Sequence, residues 1–451
     1  MIERTRQNWA QATATTVGEA PRFPLYGRVT RVIGQVVESS SMPVVVGEVC
    51  RIAPDDHHGM LAQVVGFHDR GVLLMPLGEL QGVHPGAQVI PFARTLYAEV
   101  GDGLIGRVVD GLGRPIDGLG PIGTTRQRSL LSAPPPALER ARIRSPLGTG
   151  VRALDGLLTL GQGQRVGIMA GSGVGKSVLL GMAARHTTAD VNVIALLGER
   201  GREVREFIER DLGPEGLSRS VVVVATGDES AVVRATGALV ATTIAEHFRD
   251  AGKNVLLMMD SVTRVAMAWR EIGLAVGEPP TTKGYPPSVF AQLPRLLERA
   301  GTARTGSITG LYAVLVEGDD FNEPVADAAR SILDGHVVLT RRLASAKHFP
   351  AIDVLESVSR VRDEVIPKDH QDAANLVLRL EAAYHSHEDL IAVGAYQTGA
   401  DRLVDAAIVL RAEIHAFLRQ APEDFSTPEE IRARLLRLAA QARAHMEARP
   451  S

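Results

Sequence analysis

Residues Ala170–Ser177 read Ala-Gly-Ser-Gly-Val-Gly-Lys-Ser, a spacing that few folds accommodate. The apolar run Gln164–Met169 before it is of strand type, and Val178–Ala184 after it has helical character. A glycine loop between strand and helix is the context in which backbone N–H groups and a helix N-terminus wrap phosphate oxygens. Gly171, Ser172, Gly173, Val174, Gly175, Lys176, Ser177 and Val178 are therefore the candidate binding segment for a nucleoside triphosphate, ATP in this reading. Lys176 would neutralise β/γ-phosphate charge and Ser177 would ligate Mg²⁺. Ala170 stands where the strict pattern has glycine, and its side chain is small enough to leave the turn open.

Length and composition narrow the class. A chain of 451 residues has room for two to four domains and a large core. With 45% hydrophobic residues, 22% charged residues and a net charge of −3, nothing global points to nucleic acid or to an anionic membrane. Cys50 is the one cysteine, which excludes an internal disulfide and fits a reducing, cytoplasmic compartment. No apolar run approaches the ~20 residues of a membrane span, and the histidines, His57-His58 and His385-x-His387 included, form no metal-ligand spacing with cysteine.

Four segments follow in chain order. Residues 1–24 are polar and weakly patterned, with Ile2 and Trp9 among the few large apolar residues, and read as a flexible arm that docks a partner. Residues 25–95 carry short alternating runs (Gly27–Ile33, Val44–Val49, Ala62–Val65) between Gly, Pro and Asp turns, the texture of a small all-β barrel or sandwich. Residues 96–366 form the phosphate-loop domain, in which strands Val191–Leu197, Val221–Ala225, Val255–Met259 and Ala313–Val316 alternate with helices, an α/β pattern with a largely parallel sheet. Within it, Gly101–Gly106 spells GxGxxG, but the residues after it cannot open a helix, so no dinucleotide site is expected. Ser132–Pro136 reads as a proline-stiffened linker. Residues 367–451 lose strand character and hold helices, the last opened by a Thr427-Pro-Glu-Glu430 capping box.

Two further clusters carry chemistry. Val255–Asp260 is an apolar strand ending in a carboxylate, the position of an acid that holds the Mg²⁺ shell. Leu197–Glu203 follows another core strand and offers a carboxylate to polarise an attacking water and an adjacent arginine to reach a γ-phosphate.

Ala170–Ser177, Gly198–Glu203, Met259–Arg264 and Ser357–Arg360 occur in the order and approximate spacing of the rotary-type hexameric ATPases. Arg270–Pro280, Gly284–Phe290 and Val316–Pro324 resemble, more closely, the flagellar and type III protein-export ATPases, with Tyr285 and Asn322-Glu-Pro leaning to the flagellar branch. The likeness spans Tyr26 to Phe417. It implies a RecA-like core with an N-terminal β-barrel and a C-terminal helical domain, similar to the catalytic subunit of the rotary ATP synthase.

By position, the resemblance makes Glu199 the water-activating glutamate, Arg200 and Arg264 γ-phosphate contacts, Phe349 the aromatic on adenine, and Arg360 an arginine finger given to the neighbouring subunit. The loop Gly277–Pro287 resembles one that lines the ring's pore. Further implications are a homo-hexamer, regulatory and central-stalk proteins of the export apparatus, export substrates and chaperones as partners, and peripheral association with a membrane export gate at the inner membrane. A ring helicase would want stacking aromatics among basic residues, whereas Phe23, Tyr26, Phe67 and Phe92 are scattered; no nucleic acid is expected. A catalytically silent nucleotide scaffold is disfavoured by Glu199 beside Lys176 and Asp260.

Overall fold

The computed structural model describes residues 26–447 apart from 55–58, 70, 124–125 and 317–322. The expected arm at Met1–Pro24, His57-His58 and most of the Val316–Pro324 motif, Asn322 included, lie outside the described residues. The chain divides into two units, Met1–Thr95 and Leu96–Ser451.

The first unit is a closed six-stranded barrel: β1 (Gly27–Ile33), β2 (Val36–Ser40), β3 (Glu48–Ala53), β4 (Met60–His68), β5 (Gly71–Pro76) and β6 (Gln88–Thr95), joined in the order β1-β2-β5-β4-β3-β6. Alternation sends Val37, Cys50, Ile52, Ala62, Leu74 and Val89 into one core. The expected strand at Val44–Val49 is corrected. Gly47 takes φ +89°, Glu48 N–H donates to Val45 O at 3.1 Å, and the Val45 N–H donates to the Glu48 carboxylate. That turn leaves Val45 and Val46 exposed and starts β3 at Glu48. Cys50 is fully buried, and burial, with Glu48 nearby, pushes its thiol up to about 12.

The second unit is built on a nine-stranded sheet. Its main strands are β7 (Val108–Asp110), β8 (Arg165–Ala170), β9 (Val191–Leu197), β10 (Ser220–Ala225), β11 (Asn254–Asp260), β12 (Ser307–Leu315), β13 (Gly335–Leu339) and β14 (Ile352–Ser359). They lie in the order β14-β13-β8-β12-β11-β9-β10-β7, all neighbours parallel except β13 with β14. Every residue of β9 and β10 is buried, as a sheet covered on both faces requires. The GxGxxG segment forms a single 3-10 turn at Asp102–Leu104 and then β7, so no helix opens there.

The helices that matter for the site are α1 (Arg152–Leu157), α2 (Lys176–His186), α3 (Gly201–Glu206), α4 (Ala231–Asp250) and α5 (Val262–Ala275). Three more, α6 (Lys368–Ala392), α7 (Arg402–Leu418) and α8 (Pro428–Glu447), close the chain. Thr427 and Glu430 exchange the reciprocal bonds of a capping box, Thr427 N–H to Glu430 Oε2 at 2.9 Å and Glu430 N–H to Thr427 Oγ1 at 3.3 Å. The C-terminal helices join the sheet's core through Leu380, Ile414, Phe417, Ile431 and Leu435, which cluster with Leu154 and Leu157 of α1.

Candidate functional site

Parallel strands deliver the ends of β8, β9 and β11 to one edge of the sheet, because their register aligns Met258 with Leu311, Leu311 with Val166, and Asp260 with Leu196. Residues that follow these strands are therefore neighbours however far apart they are in sequence. Beyond β8, Gly173 and Gly175 take φ +77° and +90°, the left-handed conformation that only glycine adopts without strain. The chain thus turns sharply into α2, whose first two residues are Lys176 and Ser177.

Lys176 Nζ is paired with the Asp260 carboxylate and stands 3.7 Å from Glu199 Oε1. Asp260 closes β11, and Glu199 lies two residues beyond β9. Ser261 then caps α5, its Oγ accepting from the Arg264 N–H at 3.3 Å, which turns Arg264 toward the same space. Gly198 permits this approach, since a Cβ there would lie 2.8 Å from Arg264 Cβ.

These groups surround a cavity of about 490 Å³ lined by the glycine loop, Lys176, Ser177, Glu199, Asp260 and Arg264. Two buried polar atoms within it, Glu199 Oε1 and Arg264 Nε, have no hydrogen-bond partner. Burial pushes the Glu199 carboxyl up to about 7, helped by Asp260 and Glu203 and opposed by Lys176 and Arg264.

The far wall was not legible in the sequence. Glu206, at the end of α3, and Arg210 and Asp211, in the π-helical turn Phe207–Leu212 that continues it, line the cavity. Such turns have no distinct residue signature. Arg200 lines the rim with a largely exposed side chain, 3.7 Å from Glu203.

Phe349 reaches the loop from a different direction. Its ring lies 3.5 Å from where a Cβ of Gly175 would sit, its side chain is 40% exposed, and its carbonyl accepts the Gln420 N–H at 2.9 Å. The ring is therefore part-exposed beside the loop, though it does not line the cavity itself.

Arg360 is not part of this cluster. It follows β14, and its N–H donates to Asp334 O at 3.1 Å, at the start of β13. Asp334 N–H in turn donates to Arg165 O at 2.8 Å, at the start of β8. The phosphate loop leaves the other end of β8, six residues on, a separation of ~20 Å at the rise of a strand. The Arg360 side chain makes no ion pair or hydrogen bond among the described residues.

The donors fit the group expected here. Ser177 and Asp260 offer oxygen only, as a hard divalent cation prefers, and Mg²⁺ commonly takes one or two protein ligands with substrate phosphates. Among the described residues no cluster of three or more His, Cys, Asp or Glu side chains could hold a metal by itself.

Comparison with known proteins agrees with this geometry along the chain. Residues 150–359 match the nucleotide-binding domain of the ATP synthase alpha/beta family, 29–92 its beta-barrel domain, and 366–437 the T3SS EscN ATPase C-terminal domain. The flagellum-specific ATP synthase of Bacillus subtilis is 53% identical over 92% of this chain and 95% of its own. The type 3 secretion system ATPase of Xanthomonas euvesicatoria is 52% identical over 90% and 92%. The assembled ATPase EscN of enteropathogenic E. coli superposes with a TM-score of 0.87 at 46% identity, covering 92% of this chain and all of that one. EscN has also been solved with its central stalk EscO, with a TM-score of 0.85 at 45% identity.

Proposed function

Because the chain belongs to the ATP synthase alpha/beta family, and within it to the ATPases of flagellar and type III protein export, we propose that it works as a homo-hexameric ring whose catalytic sites lie between subunits. The chain is an ATPase of the export class. The observation that carries the intersubunit reading is the position of Arg360, ~20 Å along β8 from the phosphate loop of its own chain. An arginine so placed can serve a neighbour's site and not its own.

Within one site, Lys176 holds the β/γ-phosphates and Arg264 reaches the γ-phosphate from α5. Ser177 and Asp260 would hold Mg²⁺, which would supply further neutralisation of the phosphate oxygens. Glu199 takes a proton from the attacking water at a carboxylate oxygen, a role suited to a group poised near neutral pH. Arg360 of the adjacent subunit meets the charge that spreads over the transferred phosphoryl group, where the planar guanidinium reaches two oxygens at once. Phe349 supports adenine, and Arg200 swings in from the rim.

The assembled EscN structure and its complex with EscO support a ring with a central-stalk partner. Among the described residues no helix is long and apolar enough to cross a membrane, which suits an ATPase seated at the cytoplasmic side of an export gate built by other proteins. Regulators, chaperones and export substrates would be its remaining partners, and we assign it to the flagellar branch on Tyr285 and the Asn322-Glu-Pro motif.

Subunit mixing tests the reading. Lys176→Ala and Arg360→Ala rings, each inactive, regain ATPase activity after subunit exchange, because a Lys176→Ala subunit lends Arg360 to an intact pocket. Absence of recovery in rings of verified mixed composition overturns it. Restored motility, rather than needle secretion, in deletion strains tests the branch.

A further inference from the structure

The backbone around Arg360 is held by one buried side chain from the segment that leads into the phosphate-loop strand. Gln164 is fully buried at the turn before β8. Its Nε2 donates to Asp334 O and to Ser359 Oγ, both at 3.1 Å, while its Oε1 accepts the Gly161 N–H at 2.9 Å. Asp334 O is the same carbonyl that receives the Arg360 N–H. Ser359 Oγ also donates to Thr159 O at 3.0 Å. On the other side of Arg360, Val361 packs so closely on Gly161 that a Cβ there would lie 3.2 Å from it. Residues 359, 360 and 361 are thus each tied, directly or through Asp334, to the stretch 159–165.

Asp334 is itself fixed from the same stretch. Arg165 Nε and Nη2 grip its carboxylate at 3.0 and 3.1 Å, and the Arg165 N–H donates to it at 3.1 Å. Nothing in this cluster contacts the cavity around Lys176, which lies at the far end of β8.

Resting on the reading of Arg360 as a residue that serves the adjacent subunit, we infer that Gln164 is a positioning residue for that arginine: the clamp at the start of β8 sets where Arg360 enters the neighbour's site. Strand β8 then carries a subunit's own phosphate loop at one end and the anchor of the arginine it donates at the other. A displacement of about 1 Å at a reacting centre costs on the order of 100-fold in rate. Loosening this anchor should therefore be felt in the next subunit and not in the one that bears the change.

The test uses full-length rings in which donor and host roles are separated. In the mixture of Lys176→Ala (arginine donor) and Arg360→Ala (pocket host), Gln164→Leu, which fills a similar volume without the amide, is placed in one subunit at a time. On the donor it lowers recovered activity by about 10- to 100-fold; on the host it leaves recovery within about twofold and nucleotide affinity unchanged. Ser359→Ala, which removes the other half of the clamp without altering β8, is read in the same two placements and serves if the Gln164→Leu rings do not assemble. Loss on the host, equal loss in both placements, or no loss in either overturns the inference. If the parent mixture shows no recovery, the assignment of Arg360 fails and the inference falls with it.

Discussion

The two edges of the parallel sheet are built to opposite specifications. Where β8, β9 and β11 end, glycines open a cavity, Lys176 is set among carboxylates, and Glu199 Oε1 and Arg264 Nε have no hydrogen-bond partner, Lys176 standing 3.7 Å from the former. Where the strands begin, charges are paired. Arg165 meets Asp334 and Glu298, Arg299 holds Glu246 in a two-point contact at 2.9 Å, and Asn254 accepts from Ser307. Unsatisfied buried groups cost stability unless a ligand completes them, so on this receptive edge Glu199 and Arg264 weigh against folding until the site is filled. Asn192 Oδ1 is one such atom at the other edge, where the paired charges give rigidity. Arg360 breaks the pattern, its side chain having no ion pair or hydrogen bond among the described residues.

That exception yields the largest expected effect. Arg360→Ala should lower turnover by about 10³–10⁵ while ATP binding, ring assembly and melting temperature stay close to the parent values. Because the arginine would come from a neighbour, parental turnover per subunit should also fall on dilution below the assembly range. A loss under tenfold for Arg360→Ala, measured by steady-state phosphate release, would return the rigid edge to a purely structural role.

Next come the two receptive-edge residues. Glu199→Gln should reduce turnover by about 10²–10⁴ with ATP affinity retained, whereas Lys176→Ala should weaken binding itself. Equal affinities for the two variants in a fluorescent-nucleotide titration would contradict both assignments.

A stability effect is expected from the rigid edge. Arg299 and Glu246 are 3% and 1% exposed, and Arg299 also donates to Leu130 O and Thr243 Oγ1. Arg299→Ala leaves the Glu246 carboxylate buried, with only the more distant Arg128 near it, and should cost about 3–5 kcal/mol in denaturant unfolding. Turnover per folded ring should change little; a large drop in kcat with unchanged stability would blur the division between the edges.

The smallest effect is a pH slope beside Phe349. The rings of His348 and His415 lie 5.1 Å apart, and both are held down to about 4, chiefly by burial and then by nearby arginines, Arg342, Arg411 and Arg419 for His348 and Arg411 and Arg419 for His415. Unfolded histidines bind protons that these refuse, so stability is complete above about pH 6.5 and declines as pH falls toward 4. Each histidine contributes at most ~1.4 kcal/mol per pH unit. Replacing both by Gln should flatten the slope between those values; an unchanged slope would exclude them as its source.

Much of the receptive edge was legible because its residues must follow strands. The glycine loop after Gln164–Met169, Asp260 at the end of an apolar run and Glu199 just past another all sit where a parallel sheet delivers its ends. The rigid edge was not legible. Gln164 is an ordinary turn residue in sequence, and its bonds reach Asp334 and Ser359, 170 and 195 positions away. Local pattern also failed where one glycine decided the outcome. Val44–Val49 alternates like a strand but turns at Gly47. Strand β7, three residues long, is too short to show periodicity and is held by its pairing with β10.

The barrel's buried Cys50 has a practical consequence for watching this machine at work. The thiolate is the form that attacks thiol reagents, and the sole native thiol of the chain is both shielded and held protonated at neutral pH. A cysteine introduced at an exposed position away from the cavity, such as Val393, would be the fast-reacting thiol of each subunit. Maleimide dyes could then report distances between neighbouring subunits without first mutating the native residue, leaving the barrel core as it folds.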